Sequence, residues 1–532
     1  MKWISTARLA MALGFACMAS QAMAQQGATA QSFDELSARL EQQDKQIQQL
    51  QAQVSGMQQG VNATPVAFAL GGAPAAAAAA PAGPQCCEVG SDMSCKVRWY
   101  NGAGLMFESP NKDFTMHLGG WMQWDNVSWN QNKLNEPAAA GGIGPLNDGD
   151  YWRRLRIVME GTFWETFEYR WNYAFEKQEF DTVGLDEFWI GVNKIPVIGT
   201  IRAGHVKTPM GLEGDMTSSS RCMTFMERSS YSTAIELNQN FCNGLWFGNS
   251  FCDDRGTYSA AVFRPDLSGN GDFFNTGEVG AQARFTALPL YEDDGRHLLH
   301  LGLSGGWRNG NVAGGTAAVA NSVTLSATPE MNDNSPPGST GAQPGGISPT
   351  MITTGTIVCS DDYLLGTELL YIRGPLSLQA EYGWNFVANG QVGTNPTSSY
   401  IFNGGYLMAS YMLTGENRAY DKKSGSLSRY YLGGQGPYEN AFMVRDEDGC
   451  ICAGHGAVEL ACRYSYTNLN SGSGTAAING GIMDGLGLAL NWYLNSNVVI
   501  MNDWNYNYRY DMPAGKNAGS TNGIGTEIQL SF

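Results

Sequence analysis

From Leu155 the odd positions read Leu155, Ile157, Met159, Gly161 and Phe163, while Arg154, Arg156, Val158, Glu160 and Thr162 hold the even ones. After a short break Tyr169, Trp171, Tyr173 and Phe175 alternate with Glu168, Arg170, Asn172 and Glu176. A period of two is the pleat of a strand with different surroundings on its two faces. Two such runs joined by about four residues predict a hairpin. One face is aromatic and aliphatic, and the other carries full charges. A soluble sandwich would bury the oily face against a second sheet. A barrel in lipid turns that face to hydrocarbon and the charged face to a wet lumen.

The pattern recurs to the end of the chain. Phe114, Met116, Leu118, Met122 and Trp124 alternate with Thr115, His117 and Gln123, and Leu376, Leu378, Ala380 and Tyr382 alternate with Ser377, Gln379 and Glu381. Val458, Leu460, Cys462 and Tyr464 alternate with Glu459, Ala461 and Arg463. About sixteen runs are expected, an even number as bacterial barrels require. Parity is ambiguous over Ile201–Lys207 and Leu364–Ile372. Short connections (Trp164–Phe167, Ile195–Gly199, Cys252–Arg255, Arg373–Pro375, Asn495–Asn497) alternate with long ones (Asn130–Asp150, Thr208–Asn243, Asn309–Ser360, Asn468–Gly481). Short turns belong to the periplasmic side and long loops to the outside. Glu416–Gly454 breaks this rule, being long where parity makes it periplasmic. The loop Asn309–Ser360, rich in Gly, Ser, Thr, Asn and Pro, reads as mobile surface. The final run, Ile528, Leu530 and terminal Phe532, is the end by which outer-membrane insertion machinery recognises its clients.

Composition narrows the choice. Charged residues are 15% of the 532 and glycines number 67, too little charge and too much glycine for an ordinary soluble domain. After the N-terminus no stretch offers the roughly 18 apolar residues of a membrane helix, so a spanning chain must be a closed barrel. Lys2 and Arg8, the apolar Leu9–Ala19 and Ala22-Met23-Ala24 predict a secretory leader over 1–24. Its removal takes the net charge from −17 to −19, which argues against nucleic acid as partner. Residues 25–60 predict a periplasmic coiled coil. Ser32-Phe33-Asp34-Glu35 is a capping box, and Phe33, Leu36, Leu40, Gln43, Ile47, Leu50, Val54 and Met57 occupy heptad a and d positions. A single amphipathic helix packed on the barrel is the other reading. Residues 61–105 read as an Ala/Pro/Gly linker ending in cysteines, and 106–532 as the transmembrane barrel.

Ten cysteines follow the leader, and an exported chain meets an oxidising compartment, so disulfides are expected. Cys222 and Cys242, both in the Thr208–Asn243 loop, are one candidate pair that would hold it folded inward. No metal site or cofactor is expected. Cys450-Ile451-Cys452 with His455 lacks paired zinc spacing, and His297 and His300 with Asp293 and Asp294 read as a hydrophilic turn. No hydrolase elbow, zinc-protease helix or phosphate-binding loop is present, so an enzyme is not expected.

The stretches RRLRIVMEGTFWETFEYRWNYAFE, DEFWIGVNKIPVIGTIRAGHVKTPMGLE, MTSSSRCMTFMERS, LMASYMLTGENRAYDKKSG and VELACRYSYTNLN with LALNWYLNSNVVIMNDW resemble the phosphate-selective porin O and P family. The resemblance spans about Tyr151 to Phe532. It implies a homotrimer of sixteen-stranded barrels in outer-membrane lipid, each narrowed by an infolded third outer loop, the fifth outer loop and a long periplasmic turn. That turn matches Glu416–Gly454, with Arg418, Lys422 and Lys423. Ion selection follows the charges at a constriction. Arg154, Arg156, Arg170, Arg284, Arg463, Glu160 and Glu176 are the expected pore-lining residues, with Glu168, Glu381 and Glu459 also pointing inward. Lys207, Arg221 and Arg228 are the constriction-loop candidates on the family motif. Lys207–Asn243 nevertheless carries three positive and four negative residues. Such a mixture fits a channel for small hydrophilic solutes or ions as well as one for anions such as phosphate. The alternative is a structural barrel tethering the outer membrane to the cell wall or surface layer through its coiled coil.

Overall fold

The computed structural model describes residues 95–100, 104–136, 138–175, 184–218, 222–236, 241–264, 279–309, 322–332, 349–428, 441–445 and 449–532. The expected leader and coiled coil, most of the linker, Glu176 and Arg221 lie outside them. Among the described residues, eighteen strands share one sheet, and sixteen of these close into an antiparallel barrel. In chain order these are Phe114–Gln131, Gly149–Phe163, Phe167–Ala174, Gly184–Ile195, Gly199–Lys207, Phe241–Phe251, Gly256–Arg264 and Val279–Glu292. His297–Asn309, Asp361–Arg373, Leu376–Gly390, Ser398–Met412, Ala457–Ser471, Ile478–Tyr493, Val498–Tyr510 and Gly519–Ser531 follow. Each pairs with the next, and the last returns to the first from Thr521 opposite Gln131 to Ser531 opposite Trp121. Closure leaves the barrel without a strand edge.

The remaining two strands, Lys96–Tyr100 and Gly104–Glu108, form a hairpin that spans the boundary between the stretch read as linker and the one read as barrel. Leu105–Glu108 pairs with Leu118–Thr115, on the edge of the first barrel strand that the last strand does not reach. Between the two, the backbone of Phe532 exchanges hydrogen bonds with Gly120 at 2.7 and 2.9 Å. The hairpin thus completes a ladder that would otherwise be open at the seam.

The period-two faces separate as lipid and lumen require. Ile157, Phe163, Trp171, Phe188, Ile190, Phe285, Leu407, Leu460 and Ile524 are exposed on the outer wall. The intervening positions point inward. The largest fully buried side chains include Arg284 and Arg463, the reverse of a soluble core. Three of the four apolar clusters among the described residues join the wall to chain folded into its interior. One gathers Met210, Phe225, Tyr231 and Ile235 with Val323, Leu325 and Ile357 and with wall residues such as Tyr406 and Met408.

Among the described residues, three segments therefore enter the lumen: 208–218 with 222–236, 322–332 with 349–360, and 416–428. For its described residues, the second corrects the reading of Asn309–Ser360 as mobile surface. Val323, Leu325, Ala327, Met331, Ile352 and Ile357 are buried, in short ladders pairing Ser322–Val323 with Ile357–Val358 and Ser326–Ala327 with Ile352–Thr353. Cys242 packs in the wall against Ala261 and Phe263, whereas Cys222 borders the cluster of Leu212, Leu298 and Leu427.

Candidate functional site: a lumen filled from both ends

Segment 208–236 crosses the lumen because backbone and side chain supply its anchors locally. Gly211 has φ +72°, a left-handed value that glycine adopts without strain, and it starts a single π-helical turn at Gly211–Met216. The free N–H groups of that turn point at the wall. Leu212 and Glu213 donate to the Glu381 carboxyl at 2.5 and 2.8 Å, an acceptor placed where the turn's orphan donors need one. Ser229 caps the short helix Ser230–Ala234 by accepting from the Ser232 amide at 3.2 Å. Its hydroxyl donates to Glu213 at 2.6 Å. Wall glycines make the space. A Cβ at Gly383 would lie 2.4 Å from the Tyr231 hydroxyl, and one at Gly487 would lie 2.8 Å from the Phe225 ring.

Arg463 gathers two of the segments. Its guanidinium donates to Glu213 at 3.3 Å, to the Glu227 carbonyl at 3.0 Å and to Glu330 at 2.9 Å, and lies 4.3 Å over the Phe225 ring. Glu330 also receives the Ser230 amide at 2.7 Å. Asp503 accepts the Met226 amide at 2.8 Å, and Asn491 donates to the Thr224 carbonyl at 2.7 Å. Across the lumen Arg153 forms a two-pronged pair with Glu227, and Asn332 joins the same carboxylate at 2.6 Å. Burial works to raise the Glu227 carboxyl, but Arg153 and Arg154 together hold it below its ordinary value.

From the short-turn end, 416–428 enters to meet this loop. Arg418 donates to Gln379 at 3.0 Å and to the Cys222 carbonyl at 3.4 Å. Arg284 binds Glu368 with two nitrogens at 2.8 and 2.6 Å and reaches the Gly425 carbonyl at 2.8 Å. His300 bridges Glu368 at 3.2 Å and the Tyr420 hydroxyl at 2.7 Å. This histidine, read beside a hydrophilic turn, is fully buried in the wall. His297 stays at the turn, 3.9 Å from Glu292. Lys422 lies 4.9 Å over the Tyr291 ring, and Lys423 is exposed.

The filling is lopsided. Paired charges on the later strands and inserts (Arg284–Glu368, Arg308–Asp362, Arg463 with Glu213 and Glu330) have side chains 5% exposed or less. On the early strands Asp125 and Arg154 are buried too, but a group of charges stays in contact with solvent: Glu160, Glu168, Arg170, Glu187 and Arg202 are between 16 and 33% exposed. There Arg170 bridges Glu160 at 2.5 Å and Glu187 at 2.8 Å, and His117 meets Glu160 at 3.0 Å. Arg202 binds Glu168 at 2.8 Å and is sandwiched between Trp189 and Trp246, 4.3 and 4.6 Å from the ring centres. Arg156 lies 5.9 Å from the Trp121 ring.

Among the sequence candidates, Arg156, Arg170 and Glu160 thus sit together on a solvent-facing wall. Arg154 is buried and donates to Gln123 at 2.8 Å, and Arg284 and Arg463 are covered by the inserts. Arg228 is half-buried with its Nε on the Glu213 carbonyl at 2.9 Å. Lys207 closes its strand in register with Phe241. The sequence reading did not single out Arg153, which odd–even parity extended from Leu155 would put on the oily face. A register shift between Gln123 and Trp124 lets the chain bulge at this point, so Arg153 and Arg154 both turn inward. It also missed Arg202, whose strand had ambiguous parity.

A closed sixteen-stranded barrel, apolar outside, charged inside and narrowed by an infolded loop, defines an outer-membrane barrel of the porin type. A model of the family described as phosphate-selective porin O and P matches residues 126–532, and the chain belongs to that family. It is 23% identical over 426 residues to Porin O of Pseudomonas aeruginosa, covering 77% of this chain and 86% of that protein. It is 26% identical over 281 residues to an uncharacterised protein of Caulobacter vibrioides, covering 50% of this chain and 46% of that one. Among solved structures, the outer membrane channel DcaP of Acinetobacter baumannii aligns at 9% identity with a TM-score of 0.44, over 80% of this chain and 99% of that one.

Proposed function

We propose that this outer-membrane porin passes small hydrophilic solutes and ions by passive diffusion along one side of its lumen. The route follows the wall built by Gly149–Phe163, Phe167–Ala174, Gly184–Ile195 and Gly199–Lys207. The observation that carries this reading is the contrast between its partly exposed charges and the covered charges opposite. Along that wall Arg156, Arg170 and Arg202 are matched by Glu160, Glu168 and Glu187. A balanced lining supports weak ion preference rather than strong selection of phosphate, which the family's name implies. In planar bilayers across a steep potassium chloride gradient, the expected reversal potential lies close to zero. A potential near the chloride equilibrium value would overturn this and favour an anion channel.

Arg202→Ala leaves Glu168 unmatched and is expected to move the reversal potential toward cation preference. No movement would place the ion route elsewhere. Lys207, Arg221 and Arg228 are proposed to border the narrow point. Replacing Arg221 and Arg228 with alanine is then expected to lower chloride permeability. A homotrimer is proposed in line with the family resemblance. The extent of the filling supports a second reading, a plugged barrel with a structural role. Liposome swelling in sugars separates the two, since a plugged barrel leaves vesicles intact.

A further inference from the structure

We propose that Glu236 makes insertion of segment 208–236 pH-dependent, so that raising the pH loosens the loop and widens the channel. This rests on the channel reading above, because the loop is what narrows the lumen. Glu236 is fully buried at the return end of the segment, and neither carboxylate oxygen has a hydrogen-bond partner. It is held against the loop's own entry: a Cβ at Gly211 or Gly214 would lie 2.2 or 2.7 Å from its carboxylate oxygens. Closing the segment onto itself therefore requires burying this carboxyl.

Its surroundings are acidic. Within the segment it faces Glu213 and the Tyr231 hydroxyl, and from the wall Glu381, Glu368 and, through Glu381, Tyr406. The nearby cations are already committed, Arg463 to Glu213 and Glu330 and Arg284 to Glu368. A buried carboxylate without a donor is costly, and a like charge beside it adds to the cost. The neutral acid is the form that fits. Burial, followed by the repulsion of Glu213, raises the Glu236 carboxyl from 4.5 to about 8, against a smaller opposing pull from the nearby Ser232 hydroxyl, whose own hydrogen bond goes to Glu213 at 2.7 Å.

The sign follows from proton counting. A released loop exposes Glu236 to water at its ordinary value, while the inserted loop keeps the proton up to about 8. Below 4.5 both forms hold it, and above 8 neither does. Between these limits only the inserted form is protonated, so each pH unit favours release by up to about tenfold. The change accumulates through the window and levels off above it.

The test uses the full-length protein in planar bilayers from acid to alkaline pH, beside a Glu236→Gln variant shown to be folded by its heat-modifiable gel mobility. The expected result is a rising fraction of large-conductance openings in the parent that levels off near pH 8, and none of this pH dependence in the variant. An infrared difference spectrum should show a protonated-carboxyl band titrating in the same range and missing from the variant. A parent without that band, or a variant that keeps the conductance rise, overturns the proposal. A barrel that shows the band but conducts at no pH retains the buried acid and refutes the channel reading instead.

Discussion

Arg463→Met is expected to raise single-channel conductance several-fold, because one guanidinium holds two inserted segments. Glu213 from 208–236 and Glu330 from 322–332 both end on it, and the Glu227 carbonyl occupies a further donor. All three charged side chains are essentially out of water. Removing the shared partner of a buried ionic group leaves the other charges uncompensated, at a cost of about 3–5 kcal/mol. The barrel need not bear that cost. Releasing the loops returns both carboxylates to water, and the backbone ladder of Ala457–Ser471 with its neighbours is unaffected by it. Methionine keeps most of the volume against Phe225, which isolates the charge as the cause. Single-channel recording checks the outcome, with heat-modifiable mobility confirming a folded barrel. An unchanged conductance from folded barrels would mean that the inserts stand without Arg463.

The wall was legible in the sequence because lipid and water impose opposite demands on successive residues. Leu155, Ile157 and Met159 against Arg154, Arg156 and Glu160 already state which face is which. The long connection at Glu416–Gly454 was legible as an exception to an alternation, and its residues 416–428 do enter the lumen. Parity reasoning fails at a bulge. One extra residue near Arg153 cannot be seen in a run that reads equally well without it, yet it brings the arginine that clamps Glu227.

The interior was less legible, since an inserted loop meets a polar wall and its own composition remains polar. Asn309–Ser360 looked like surface chain. The signal within it was short: Val323, Leu325 and Ala327 alternate with Ser322, Thr324 and Ser326, a strand-like trace with no turn partner in view. Glu330 could not be linked to Arg463 from sequence, because a separation of 133 residues carries no periodicity. The same holds for Arg284 and Arg463. Parity places them on the inner face correctly, but whether that face meets water or another segment depends on which loops fold back.

Glu368→Leu is expected to lower barrel stability by about 3–5 kcal/mol, the cost of stranding a buried cation. Arg284 would lose both prongs of its pair and His300 its acceptor, while Gly425 and Tyr420 keep those two residues from turning toward solvent. Unlike the loop anchors, both members of this pair lie in barrel strands, Val279–Glu292 and Asp361–Arg373. They cannot reach water without opening the wall. The unfolding midpoint in urea, followed by the shift in gel mobility, should therefore fall. Combining Glu368→Leu with Arg284→Met removes both charges and should recover most of the loss, because an apolar pair needs no desolvation. A double variant as unstable as the single one would show that the hydrogen bonds to the Gly425 segment, rather than the ion pair, hold this side of the lumen together.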